Sequence, residues 1–348
     1  MNSIIKSSLG ELFDGRTFNW VVTGGAGFIG SHLLEALLSF DQNVIVIDNF
    51  ATGKPSNLDD VKSIVGAEKA QRMQFHEADI RDRPKMASLI DGCDFVLHQA
   101  ALGSVPRSIN APWTSHDVNV NGFLSVLDAA RESKVKRFVY ASSSSVYGDH
   151  PDLPKVEENI GNPLSPYAAT KRADEVYARS YAAAYGMTLV GLRYFNVFGP
   201  RQDPDGQYAA VIPRWVKGIL SNSEVAIFGD GETSRDFCYV KNVVQANIKS
   251  ALAPTLPANR AVELNVAAHR QTTLNQLYQA IRLGLSEKSA DPKIGAHTPI
   301  FRDFRPGDVR HSLADISKAK ALIGYEPSHD VFEGLSEALD WYINSAGQ

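Results

Sequence analysis

The chain has 348 residues, 44% hydrophobic and 21% charged, with a formal net charge of −4 at pH 7. That is globular composition with material for a large core, spread over one large α/β unit or two modest domains. The acidic balance argues against a nucleic-acid partner. Two cysteines, Cys93 and Cys238, build neither a disulfide framework nor a four-thiolate metal site, and no apolar run approaches the roughly 20 residues of a membrane span. With no signal-peptide core at the N-terminus, a cytoplasmic protein with no membrane and no metal is expected.

Residues 1–18 read as an N-terminal extension with one short helix at 4–13. An apolar strand at 20–23 then runs into Gly24-Gly25-Ala26-Gly27-Phe28-Ile29-Gly30. Leu33, Leu34, Leu37 and Leu38 follow at helical spacing over 31–40, and Val44-Ile45-Val46-Ile47 reads as a strand buried on both faces, ending at Asp48. Strand, glycine turn, helix, strand and acidic residue form a βαβ unit in which backbone approaches a pyrophosphate at a helix N-terminus. A carboxylate at Asp48 suits ribose hydroxyls and repels a 2′-phosphate, which favours NAD over NADP. Asp79 is placed either against the adenine or as a helix cap.

Strands are expected at 73–76, 95–98, 138–141 and 188–192, with helices at 114–133 and 165–185. Strands that alternate with helices and lack hairpin turns predict an α/β fold with a doubly wound parallel sheet over 19–199. Segments such as 239–267 are candidates to rejoin it. From 200 to 348 the pattern is shorter and mixed, with pieces at 207–221, 225–228, 242–252, 262–266, 273–285, 315–323 and 333–344. This region is read mainly as a smaller substrate lobe facing a cleft. His98, at a strand end, reads as a core histidine.

Tyr167 and Lys171, four residues apart in Ser165-Pro166-Tyr167-Ala168-Ala169-Thr170-Lys171, fall on one helix face. An ammonium there favours phenolate, so the tyrosine can accept and return a proton. Ser143, at the end of the 138–141 strand, lies where such sheets bind ligands, with its hydroxyl able to donate to a substrate oxygen.

Taken together, the Gly24/Gly27/Gly30 turn, Asp48, Ser143, Tyr167-x-x-x-Lys171, 194–199, 229–231, Arg235-Asp236 and Arg305-x-x-Asp308 resemble the extended short-chain dehydrogenase/reductase family from about residue 20 onward. The resemblance implies a Rossmann-type domain, bound NAD, a sugar-nucleotide substrate and a homodimer formed through a four-helix bundle that includes the Tyr167 helix. It implies catalysis by Ser143, Tyr167 and Lys171. Cofactor contacts are implied at Gly24, Gly27, Phe28, Ile29, Gly30, Asp48, Asn49, Gly53, Asp79, Ile80, Gln99, Ala100, Asn119, Tyr167, Lys171, Tyr194 and Val197. Substrate contacts are implied at Gly103, Ser104, Ser143, Ser144, Asn196, Gln202, Ala210, Val211, Arg235, Arg305, Asp308 and Ser312, with Ala209 beside them.

Within the family, dehydratases and decarboxylases resemble one another in carrying acids after the catalytic serine position, whereas this chain has Ser144 and Ser145. The serine stretch is similar to UDP-hexose 4-epimerases. That likeness implies oxidation of the 4-hydroxyl, rotation of the 4-keto sugar and reduction on its other face. Ser312 stands where glucose/galactose epimerases resemble one another in having a large tyrosine. A small residue leaves room for an N-acetyl group, which implies interconversion of UDP-N-acetylglucosamine and UDP-N-acetylgalactosamine for surface polysaccharide. The alternatives are a UDP-glucose/UDP-galactose epimerase, a dehydratase or decarboxylase of the same family, and a non-enzymatic NAD-sensing protein.

Overall fold

A computed structural model describes residues 9–204, 210–289, 291–304 and 309–346. Seven parallel strands form the central sheet: β1 (Asn19–Thr23), β2 (Asn43–Asp48), β3 (Met73–Glu77), β4 (Phe95–His98), β5 (Arg137–Ser143), β6 (Leu189–Tyr194) and β7 (Ala261–Val266). Their spatial order is β7-β6-β5-β4-β1-β2-β3. The winding reverses between β1 and β4, and ligands of doubly wound sheets settle at the strand C-termini beside that reversal. Register places Thr23 between Ile47 and His98, and Ser143 beside Tyr194.

Helices α1 (Phe28–Ser39), α2 (Gly122–Glu132), α3 (Pro166–Tyr185) and α5 (Val240–Leu252) cover the sheet, while α4 (Val211–Leu220), α6 (Leu274–Lys288) and α7 (Val331–Ala346) lie beyond it. Leu33 and Leu37 of α1 pack with Val243 of α5 and the strand residues Val22, Val44 and Leu264 on one face. Phe123 and Val126 of α2 and Ala178 of α3 pack with Phe138 and Tyr140 on the other. A further core joins Ile212 and Trp215 to Leu277, Ile281, Leu335 and Leu339.

Helix α3 begins where its sequence dictates. Ser165 caps it by accepting from the Ala168 amide (3.1 Å), Pro166 occupies the first turn, and Gly186 in the left-handed region stops it.

Several local expectations shift. Helix α1 starts at Phe28, immediately after Gly27, rather than at Ser31. The helix expected over 114–133 is three consecutive pieces, Pro112–His116, a π turn over Asp117–Asn121, and α2. The π turn carries Asn119, and such bulges re-aim a side chain. The helix Pro55–Val65 was not anticipated, and the helix that follows Asp79, Arg83–Ile90, is capped by Asp82, which accepts from the Lys85 amide (3.1 Å), rather than by Asp79. The first buries only Asn57, Leu58 and Val61, too thin an apolar stripe to register as periodicity. Residues 9–13, the described part of the predicted N-terminal helix, pack on the sheet. Leu9 and Phe13 are buried, and the Phe13 ring lies 5.0 Å from that of Phe40. Cys93 and Cys238 are both free and buried, and burial pushes the Cys93 thiol up to about 11.

Candidate active site

The C-terminal ends of β1, β2, β4, β5 and β6 open on a cavity of about 560 Å³. Its floor is the glycine turn. Gly24 has φ +70°, and a Cβ there would lie 2.7 Å from the Ala100 amide nitrogen. At Gly30 a Cβ would lie 2.1 Å from the Gly24 carbonyl oxygen. Only glycine lets the three backbone segments approach this closely. Gly27 stands at the N-cap of α1 with no side-chain cap, so the first amides of that helix, around Phe28, Ile29 and Gly30, are left for an anion.

Asp48 closes one side. One oxygen accepts from the Ala26 amide (3.0 Å), the other from the Phe50 amide (2.8 Å). Burial nevertheless pushes its carboxyl up from the ordinary range. Asn49 and Ile80 share this wall with Asp79. The Asp79 carboxylate is gripped on both oxygens by Arg81, at 2.9 and 2.7 Å, and by Asn49 at 3.1 Å, which lowers its pKa to about 2. Arg81 also reaches Asp117 at 2.6 Å. This arginine lines the cavity but its charge is balanced by two carboxylates, so it does not overturn the preference set by Asp48 for a plain ribose.

At the far end, Ser143, Tyr167, Lys171, Tyr194, Val197, Gln99, Ala100 and Gly103 line the same cavity. Ser143 Oγ accepts from the Ser145 amide (3.1 Å) and hydroxyl (2.9 Å), leaving its own proton for a ligand oxygen. Lys171 is 2% exposed, and its Nζ lies 3.3 Å from Asp174 Oδ2. Tyr194 is fixed by a closed ring of hydrogen bonds. Its hydroxyl donates to Gln99 (3.0 Å) and accepts from Asn247 (2.8 Å), and Gln99 Nε2 donates back to Asn247 (3.1 Å). His98 is buried and bonded to Thr23 Oγ1 at 2.8 Å, and burial, then Lys171, lowers its pKa to about 3. It is a core histidine.

Val197 belongs to both this cavity and a second one of about 480 Å³, lined by Asn196, Ala210, Val211, Arg235, Arg214, Trp215, Phe228, Phe304 and Arg310, among others. Arg310 lies over the Phe304 ring, 5.2 Å from its centroid, and pairs with Asp230 at 2.6 Å. Arg310, Arg214, Trp215, Phe304 and Arg81 were not singled out in the sequence. The first lies five residues beyond Arg305, a cluster of basic residues that offered a signal. Gln202 lines the first cavity. Its Nε2 donates to the Val197 carbonyl (3.0 Å), while its Oε1 is buried without a hydrogen-bond partner. An orphaned acceptor at a cavity wall suits a ligand N–H or hydroxyl.

Five predicted contacts lie outside both linings. Gly53 abuts Asp48, with a Cβ site 2.9 Å from its carboxylate. Asn119 is buried and acts between protein segments: it accepts from the Leu102 amide (2.7 Å) and donates to the Leu102 carbonyl and to Thr170 Oγ1, both at 3.1 Å. It thereby ties the loop after β4 to the turn of α3 between Tyr167 and Lys171. Ser104 caps a short helix by accepting from the Arg107 amide (3.2 Å). Ser144 begins the 3-10 turn Ser144–Tyr147. Ser312 is held beside Arg235 through a bond from its amide to the Ser234 carbonyl (3.1 Å). Ala209, Arg305 and Asp308 lie outside the described residues. Among the described residues no cluster of side chains could hold a metal ion, and no helix is long and apolar enough to cross a membrane.

The glycine cradle, the uncapped α1 N-terminus and Asp48 at the end of β2 together fit a dinucleotide. Residues 20–266 match the family described as the NAD dependent epimerase/dehydratase family. A UDP-N-acetylglucosamine 4-epimerase from Methanobrevibacter ruminantium, solved with UDP-N-acetylmuramic acid, is 39% identical, with a TM-score of 0.85 over 94% of this chain and 99% of that one. The UDP-glucose 4-epimerase of Thermus thermophilus, solved with NAD, is 31% identical, with a TM-score of 0.79 over 94% and 99%. The UDP-glucose 4-epimerase of Mycolicibacterium smegmatis is 34% identical over 94% of this chain and 99% of its own length. The chain belongs to the NAD dependent epimerase/dehydratase family, the extended short-chain dehydrogenase/reductases. It is an NAD-dependent enzyme of the epimerase class.

Proposed function

We propose that this epimerase interconverts UDP-N-acetylglucosamine and UDP-N-acetylgalactosamine through a 4-keto intermediate, in the supply of surface polysaccharide. The observation that carries the reaction type is the meeting of Ser143, Tyr167 and Lys171 in one cavity, with Ser144 and Ser145 next in the chain. Dehydration or decarboxylation would call for an acid there. When bound, NAD would supply a hydride acceptor and donor. Tyr167 takes the proton of the 4-hydroxyl and later returns one to the same oxygen, once hydride has come back to the other face of carbon 4. Ser143 donates to the same oxygen. Lys171 holds the phenolate form of Tyr167 and the adjoining ribose.

In this assignment the second cavity takes the UDP moiety. Arg235 and Asn196 act on the diphosphate, joined by Arg305. The planar guanidinium matches phosphate oxygens two at a time. Ala210 and Val211 flank the base, and Asp308 takes its ribose.

Three features support the N-acetyl assignment. Ser312 is small, Gln202 offers an unfilled acceptor at the cavity wall, and the M. ruminantium neighbour acts on an N-acetylated sugar. A UDP-glucose/UDP-galactose epimerase is the second reading, favoured by the M. smegmatis and T. thermophilus relatives. A panel of UDP-sugars separates the two. Wild type should turn over the N-acetylated pair, and Ser312→Tyr should lose it by at least tenfold while keeping UDP-glucose, since one group in a pocket is worth about 1–3 kcal/mol. Equal losses on both sugars would remove the assignment.

We also infer a homodimer through a bundle that includes α3. Trp113 is 78% and Val176 52% exposed, and Pro112, Trp113, Val120, Ala169 and Ala173 line an apolar groove along that helix. Sedimentation at micromolar concentration tests it, and a monomer there would refute it. Two free cysteines fit a reducing, cytoplasmic compartment.

A further inference from the structure

Lys171 lines the cavity with Tyr167 and has a second neighbour. One turn further along α3, Asp174 is wholly buried, and its Oδ2 accepts from Lys171 Nζ at 3.3 Å. Its other oxygen, Oδ1, is buried with no hydrogen-bond partner. A carboxylate placed there serves packing poorly, because a half-satisfied buried charge is costly.

Resting on Tyr167 as the acid–base group, we propose that Asp174 is a positioning residue that anchors Lys171 and offsets its charge, and so sets the pH at which Tyr167 ionises. With the countercharge in place, Lys171 stabilises the phenolate less than a bare ammonium would. The phenol then keeps enough basicity to take a sugar hydroxyl proton and enough acidity to return it.

The surrounding groups leave this task to Asp174. Glu175, its neighbour on α3, is committed to Arg193 of β6 and to Arg172. Its carboxyl is desolvated by burial, but these partners hold it below the usual range. Tyr140 of β5 is fully buried, and burial pushes its phenol well up. His98 of β4 is neutral, its pKa lowered by burial and by Lys171. Glu263 of β7 is paired with Arg179 at 2.9 Å. Burial, opposed by Lys171, raises Asp174 itself to about 7, so its charge develops within the working range.

The test reads ionisation rather than turnover. The near-ultraviolet phenolate signal of the NAD-loaded enzyme is titrated against Tyr167→Phe, giving the midpoint of Tyr167 alone. Asp174→Asn, which keeps the shape and an acceptor, should lower that midpoint by about one pH unit, tenfold in the ionisation constant. Asp174→Glu, which keeps the charge, should leave it within about a third of that shift. An unchanged or raised midpoint in Asp174→Asn overturns the inference, as does an equal shift in Asp174→Glu, which would signal packing rather than charge. Asp174→Ser serves in place of the asparagine variant if that fails to fold. If wild type and Tyr167→Phe titrate alike from pH 6 to 9, the assignment of Tyr167 fails first, a result distinct from failure of Asp174.

Discussion

Arg193 lays its guanidinium along both oxygens of Glu175, Nε to Oε1 at 2.8 Å and Nη2 to Oε2 at 3.0 Å, with neither side chain exposed. The pair joins β6 to α3, one turn beyond Lys171. Ser142 Oγ, next to Ser143 on β5, donates to the same carboxylate at 2.8 Å, and Arg193 Nη1 reaches the Glu157 carbonyl at 2.9 Å. A single buried carboxylate thus sets the spacing of the strand that presents the serine and the helix that presents the tyrosine. Glu175→Ala leaves a buried guanidinium uncompensated. It should cost about 3–5 kcal/mol of unfolding free energy, read from denaturant titration. A loss under about 1 kcal/mol would show that the pair carries little of the packing.

The hydrogen-bond ring at Tyr194 makes a smaller claim. Tyr194→Phe leaves Gln99 Oε1 and Asn247 Nδ2 each short of a partner in a buried setting. The expected cost is about 1–3 kcal/mol, with weaker retention of NAD because Gln99 lines the cofactor cavity. Stability and bound cofactor are measured together, and a neutral result on both would contradict the role of the ring.

At the glycine turn the expectation is steeper. Gly30→Ala drives a methyl to 2.1 Å from the Gly24 carbonyl, backbone that cannot swing aside. Purified Gly30→Ala should carry less than a tenth of the NAD of wild type, measured by absorbance after denaturation. Full occupancy would show that the turn yields.

Asp174 also predicts a pH dependence of stability. Burial raises its folded-state pKa to about 7, above the unfolded value of about 3.8. The native state therefore holds this proton more tightly than the unfolded chain. The associated stability is fully present below about pH 4 and is lost as pH rises through 7. Relative to wild type, Asp174→Asn should thus gain thermal stability steadily between pH 4 and 8. A difference in melting temperature that stays flat over that range contradicts the assignment.

How much of this was legible in the sequence depends on whether the signal was local. The alternation of strands and helices, the helix that starts at about residue 165 and the glycine turn are set by neighbours in the chain, and each is where the pattern placed it. Asn119 and Ser104, singled out as contacts, are both engaged within the protein, Asn119 with Leu102 and Thr170 and Ser104 with the Arg107 amide. The distinction between touching a ligand and holding the wall behind it is a matter of depth, which spacing does not encode. The pairing of Arg81 with Asp117 spans separate elements, as does that of Arg310 with Asp230. Neither has a sequence signature. The π turn at Asp117–Asn121 adds one residue to a helical turn and leaves no compositional trace.

The most direct measurement uses UDP-N-acetylglucosamine carrying deuterium at carbon 4. An epimerase that removes and returns the same hydride yields UDP-N-acetylgalactosamine with the label retained at carbon 4, without added NAD and without change in mass. Magnetic resonance and mass spectrometry of the equilibrated mixture read both. Loss of the label, loss of water or carbon dioxide, or no turnover of the N-acetylated sugar while UDP-glucose is consumed would contradict the account.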